Sequence, residues 1–170
     1  MTNIESINKR ISSLQAIYDI RDLKYKYWNA CDSKSPAKIL ECFFSDEVHI
    51  DFEEFGIFSF ARDMVDKYEY QSCHDHLIEQ HAGKNPIINL LSEYEGQGLW
   101  SMFYTLIDIN KNIQVNVSGI YEDLYMMNSS GKWLIKKTIF RKRSSMLRFL
   151  SSGYCKNSRI GKTLYLKKTV

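Results

Sequence analysis

No two cysteines in this sequence stand in a CxxC spacing, no apolar run approaches the roughly 18 residues of a membrane span, and no glycine-rich phosphate loop is present. Each absence excludes something. Cys31, Cys42, Cys73 and Cys155 lie far apart, which fits reduced thiols in a cytosolic protein better than a disulfide framework or a zinc site. The opening MTNIESINKR lacks the apolar segment of a secretion signal, so a soluble, unsecreted, cytoplasmic protein with no membrane partner is expected. Charge of one sign is scarce as well: 23 basic against 20 acidic residues leave +3, most of it near the C-terminal end. That bias is too weak to indicate nucleic acid, and no nucleic-acid partner is expected. No repeat or low-complexity linker divides the 170 residues, of which 44% are hydrophobic and 14% aromatic, so the chain suits one domain with one core.

What is present has a clear order. From Ile4 to Cys31 there is neither Gly nor Pro, and Ile4, Ile7, Ile11, Leu14 and Tyr18 recur at steps of three and four, which predicts a long helix with one apolar stripe. Ser35 before Pro36 reads as the cap of a short second helix ending near Phe44. EVHIDF then alternates like a strand, and SFARDMVDKYEYQSC returns to helical spacing with Ser59 as its cap. Everything after His76 reads as sheet. GLWSMFYTLIDI, IQVNVSGIYEDLYMM and KWLIKKTIFRKR are joined by the polar turns NKN and NSSG, the pattern of an antiparallel meander, with the shorter NPIINLL before them. Gly96, Gly98 and Gly119 inside strands predict bends. The expected fold class is therefore α+β: N-terminal helices packed against the concave face of a curved antiparallel sheet, closing a cone-shaped pocket.

Several segments resemble the successive landmarks of one family. LKYKYWNACD, ILECFFSDEVHIDFEEFGIF, HAGKNPI, GLWSMFYTLID, SGIYEDLY and GKWLIKKTIFRKR, spread over roughly residues 5 to 143, are similar in order and spacing to SnoaL-like proteins. These belong to the nuclear transport factor 2-like superfamily, with scytalone dehydratase and the bile-acid dehydratases. The resemblance implies an α+β barrel over 1–145, followed by a basic tail over 146–170. That tail could close the pocket, cover a neighbouring subunit or stay mobile. The fold alone does not choose a function, because it carries dehydratases, isomerases, polyketide cyclases and binding proteins.

Position by position, the resemblance implies that Tyr27 and Asp32 near the end of the first helix face the pocket, and that His81, shortly before an Asn-Pro pair, lies across from Asp32 and pairs with it. An imidazole is a usable general base near neutral pH, a buried carboxylate fixes its tautomer, and a phenol can polarise an oxygen. Two positions depart from the dehydratase pattern: Tyr104 stands where relatives carry an acidic residue, and Phe52 where they carry a tyrosine. Tyr104 is counted with Tyr27, Asp32 and His81 as a catalytic candidate. Trp28, Phe52, Trp100, Tyr121, Arg141 and Arg143 are the substrate-contact candidates, the two arginines because some relatives place a basic residue toward the cone mouth.

Plainer readings stand beside these. Asp32 could end its helix as a turn residue for SKSP, and His81 could be a hydrogen-bonded histidine at a strand end. CHDH places His74 and His76 close together, but without a convincing third ligand no metal is expected. Glu122 suits a solvated face, and a water-exposed strand end accounts for Arg141 and Arg143. The expectation carried forward is a cofactor-independent dehydratase, isomerase or cyclase acting on a small, apolar, cyclic carbonyl compound. The alternative is a ligand-binding or assembly module of the same fold. A homo-oligomer, dimer or trimer, is expected from the apolar outer face of the sheet.

Overall fold

The computed structural model describes residues 3–44 and 47–150, and the backbone of residues 155–159. Helix α1 covers Asn3–Asp32 without interruption. Its buried face begins only at Ala16 and continues through Ile20, Leu23, Lys24, Tyr27, Trp28 and Cys31, the three-and-four spacing of one helical stripe. The stripe expected from the sequence, Ile4 to Tyr18, is instead 46% to 71% exposed. A 30-residue helix is about 45 Å long, and among the described residues the core covers only its C-terminal half. Periodicity identified the helix and misplaced its buried face.

The end of α1 is a tight left-handed turn. The Ser35 N–H donates to the Ala30 carbonyl and the Lys34 N–H to the Cys31 carbonyl, with Lys34 at φ 53° in the position glycine usually fills. Helix α2, Pro36–Leu40, starts on its proline. The Ser35 hydroxyl provides no cap, because it bonds to the Ser33 carbonyl, and α2 stops at Leu40 rather than near Phe44. Beyond it the chain pairs with a later strand, where the Phe44 N–H donates to the Ile135 carbonyl.

Strand β1, Glu47–Asp51, buries Val48 and Ile50 and pairs antiparallel with β2, Ile57–Phe60. A 3₁₀ turn, Glu53–Phe55, joins them. Ser59 therefore lies in a strand, and helix α3, Ala61–Ser72, starts after it with Phe60 at the cap position and no side-chain cap. The remaining strands are β3, Leu77–Leu90; β4, Glu95–Asp108; β5, Ile113–Met127; and β6, Trp133–Phe149. They form the expected meander, but β3 begins well before NPIINLL, so His81 sits inside a strand. The sheet order is β2-β1-β6-β5-β4-β3. It is antiparallel except between β1 and β6, where His49 to Asp51 run parallel to Lys137 to Ile139.

Bulges bend the sheet between Lys84 and Ile87 and between Ser118 and Gly119. At Gly119 a Cβ would stand 2.3 Å from the Phe140 ring, so the glycine lets that ring lie against the bend. Gly83 has a similar use: a Cβ there would meet the Trp28 ring at 1.9 Å, and its absence seats α1 flat on β3. Trp28 in turn meets Trp100 edge-on at 5.5 Å and Tyr121 at 5.9 Å. Strand β7, Cys155–Arg159, pairs with the end of β6, so sheet pairing continues past the expected boundary at residue 145. The rest of the basic tail lies outside the described residues.

The core also encloses charge. Lys24 Nζ is 2.8 Å from Asp123 Oδ2, both side chains fully buried, an ion pair without a well-aligned hydrogen bond. The Tyr125 hydroxyl donates to Asp123 at 2.6 Å and accepts from the Trp100 indole at 2.9 Å. Lys24 Nζ also lies 3.8 Å from the centre of the Tyr121 ring. Burial pulls the Lys24 ammonium below the ordinary lysine range, and Asp123 works against that shift.

Candidate active site

The curved sheet, the C-terminal end of α1, α2 and α3 enclose a cavity of about 270 Å³. Phe52, Phe55, Met64, Met102, Tyr121 and Phe140 make most of its apolar wall. At one side stands His81, brought there by β3, with Asp32 behind it at the last residue of α1. His81 Nδ1 and Asp32 Oδ1 are 2.6 Å apart. The His81 backbone N–H also donates to both carboxylate oxygens, at 3.1 and 3.0 Å. Three bonds thus hold one carboxylate against one histidine. The carboxylate makes Nδ1 the protonated nitrogen and leaves Nε2 an acceptor, without a hydrogen-bond partner among the described residues. The side chains are 12% and 24% exposed, so the pair is sheltered yet reachable.

Tyr104 stands opposite His81 in the β3–β4 register, with ring centroids 4.7 Å apart. Its hydroxyl donates to Glu79 Oε1 at 2.6 Å. Glu79 is the cavity residue that sequence reasoning missed. Its other oxygen receives Lys34 Nζ and, at 3.2 Å, the Tyr68 hydroxyl, which also donates to the Cys31 carbonyl at 2.5 Å. Glu79 precedes His81 by two residues and therefore shares its face of the strand, a signal that was present once β3 is known to begin at Leu77. Tyr68 was equally legible as a position on the Ala61, Met64, Val65 stripe of α3. Burial and the Glu79 carboxylate raise the pKa of both phenols well above the ordinary tyrosine range.

Tyr27, Tyr104, Phe52 and Tyr121 line the same cavity as His81. Burial likewise raises Tyr27. Four substrate-contact candidates lie elsewhere. Trp28 and Trp100 are 3% and 0% exposed in the core behind the cavity. Arg141 and Arg143 are exposed on the opposite face of β6, because alternation turns Phe140 and Lys142 inward. Arg141 pairs with Asp51 instead, which holds that carboxylate below its ordinary range. Lys142 is held at the cavity mouth by Glu54 at 2.9 Å. The rings of His74 and His76 stack at 5.4 Å, and among the described residues no group of three or more His, Cys, Asp or Glu side chains is placed to hold a metal ion. No helix among the described residues is long and apolar enough to cross a membrane.

A family model for the SnoaL-like domain matches residues 12–139. Solved structures share the fold. A Novosphingobium aromaticivorans protein provisionally assigned as a scytalone dehydratase superposes with a TM-score of 0.73 at 13% identity, over 92% of this chain and 97% of that one. The hexachlorocyclohexane dehydrochlorinase LinA-type3 of Novosphingobium barchaimii gives 0.67 at 16% identity, over 90% and 97%. ActVI-ORFA of Streptomyces coelicolor gives 0.64 at 8% identity, over 75% and 97%.

Proposed function

Because the chain belongs to the SnoaL-like family, we propose that it is a cofactor-independent acid/base enzyme in which His81 removes a proton from carbon beside a carbonyl of a small, apolar, cyclic molecule. The observation that carries this reading is the Asp32–His81 pair at the edge of an apolar cavity. His81 Nε2 takes the proton, the C–H electron pair moves into the carbonyl, and the new imidazolium is stabilised by Asp32 on Nδ1–H. Tyr27, unlike Tyr68 and Tyr104, is not committed to a carboxylate, and its hydroxyl is the donor for the developing enolate oxygen. The apolar wall keeps water from the reacting carbon and strengthens both interactions.

Proton removal is the first step shared by elimination of water, double-bond migration and ring closure. The similar folds named as a dehydratase and a dehydrochlorinase support elimination among these, since both names describe loss of HX across a carbon–carbon bond. A second reading, a module that holds its ligand without turnover, draws on two features: the Tyr104 hydroxyl is engaged as a donor to Glu79, and Phe52 has no hydroxyl. The deciding experiment is exchange of α-protons for deuterium in a panel of bicyclic ketones, followed by NMR in heavy water. Enzyme-dependent exchange lost in His81→Ala supports catalysis, and no exchange above buffer for any ketone supports the binding module.

A further inference from the structure

Both phenolic hydrogens beside Glu79 already have acceptors. Tyr104 donates its hydrogen bond to Oε1, Lys34 contacts Oε2, and Tyr68 donates to the Cys31 carbonyl and Oε2. Glu79, Tyr68 and Tyr104 all line the cavity, so what they offer a ligand is lone pairs: one remaining site on the carboxylate and the phenol oxygens. Both phenols stay protonated, since burial and the neighbouring carboxylate raise them. The arrangement also costs something to keep. Lys34 holds a left-handed backbone, φ 53°, where glycine is the ordinary choice, and a carboxylate is buried beside two desolvated phenols. Strand β3 does not need these bonds, because it pairs with β4 from Leu77 to Leu90.

We propose that Glu79, with Tyr104 and Tyr68, is the specificity-determining pole of this cavity, an acceptor-rich site that selects apolar cyclic molecules carrying a neutral hydroxyl. The hydroxyl docks one strand repeat, about 7 Å, from the carbon that faces His81. A carbonyl or ether oxygen beside Glu79 Oε1 faces lone pairs and leaves the buried acceptors unpaired. An ammonium is disfavoured, because Lys34 already balances the Glu79 charge and a second buried cation would stand uncompensated. The inference rests on the proposed reading of this cavity as the ligand site, and it adds the part of the ligand that His81 does not touch. With the proposed chemistry, it makes the substrate a hydroxylated cyclic carbonyl compound.

The test is calorimetric binding of 2-naphthol and its methyl ether, 2-methoxynaphthalene, to the wild-type chain and to Glu79→Gln, Lys34→Arg and His81→Ala. The wild type should prefer the naphthol by about tenfold or more, the effect of leaving a buried acceptor unpaired. Glu79→Gln turns amide hydrogens toward the ligand, which an ether oxygen can accept, and should reduce the preference to about threefold or less. Lys34→Arg keeps both the carboxylate and its counter-charge and should keep the preference, so the proposal stays testable if Glu79→Gln fails to fold. A role confined to anchoring α1 and α3 would lower the melting temperature of Glu79→Gln and leave the ratio unchanged. That result overturns the proposal, as does a wild type with no preference or no naphthol binding, or a preference lost in Lys34→Arg. His81→Ala separates this inference from the catalytic reading. A Glu79-dependent preference that survives in it, with no ketone exchange by the wild type, leaves the pole standing and removes the catalysis; His81-dependent exchange with a flat ratio does the reverse.

Discussion

Asp32 and His81 lie 49 positions apart and are joined at three points, one between side chains and two from the His81 backbone N–H. The backbone bonds tie the last residue of α1 to β3 whatever the protonation state of the ring. The side-chain bond alone sets the tautomer. Structure and proposed chemistry can therefore be separated by substitution.

His81→Ala and Asp32→Asn are each expected to reduce ketone exchange on the order of 10²-fold or more. The double variant should lose far less than the product, because the two act as a unit. Asp32→Asn keeps one acceptor for the backbone N–H and should remain folded by circular dichroism. Full exchange in both single variants would sink the catalytic reading.

The buried tyrosines set an alkaline limit on stability. Tyr27, Tyr68, Tyr104, Tyr121 and Tyr125 all have their pKa raised, first by burial. Folded pKa values above the unfolded value mean that the native state holds more protons at high pH. Their stabilisation is complete below about pH 10, the ordinary tyrosine value, and declines as pH rises past it toward the raised folded values. Phenolate absorbance should show these five of the eleven tyrosines ionising only with unfolding, the change in circular dichroism following the same curve. Five normal titrations in a folded protein would contradict the burial.

Lys24 and Asp123 are expected to be costly to separate and inexpensive to replace together. Lys24→Ala strands the Asp123 carboxylate in the core and should destabilise by about 3–5 kcal/mol in urea. Lys24→Met combined with Asp123→Asn removes both charges and should recover most of that loss. A double variant as unstable as the sum of its parts would show the pair to be worth more than its desolvation.

Gly83→Ala forces a methyl group into the Trp28 ring and should cost about 1–3 kcal/mol, the usual range for overpacking, with a change in tryptophan fluorescence. Adding Trp28→Leu makes room, so the two substitutions should be non-additive. Additive losses would mean that Trp28 does not rest on this glycine.

The outward stripe of α1 should be dispensable for the fold. Ile7→Glu with Ile11→Glu touches no core residue and should stay within about 0.5 kcal/mol of the wild type per site. Light scattering on the same proteins tests the expected homo-oligomer. A wild-type monomer at micromolar concentration would count against self-association, and a fall in mass on substitution would place the contact on this stripe.

The sequence by itself determined the elements whose signal is local and repeated. Twenty-eight residues from Ile4 to Cys31 without Gly or Pro read as one helix, and three alternating segments with NKN and NSSG between them read as a meander, because period and turn chemistry are properties of neighbouring residues. Tyr27, Asp32 and His81 were legible through the order of landmarks around them. What depends on a distant partner was decided only by the tertiary structure. The face α1 buries is set by where β3 passes, so Ala16 to Cys31 pack while Ile4 to Tyr18, with the better apolar repeat, stay outside. Phe140 and Lys142 rather than Arg141 and Arg143 reach the cavity because the sheet fixes the side from which β6 is covered. Lys24 and Asp123 look like surface residues in isolation and become core residues because each supplies the other's counter-charge between α1 and β5. Glu79 carries no local mark of its role either: its meaning comes from Lys34, Tyr68 and Tyr104, three residues from three separate segments whose donors meet at one carboxylate only once the chain has folded.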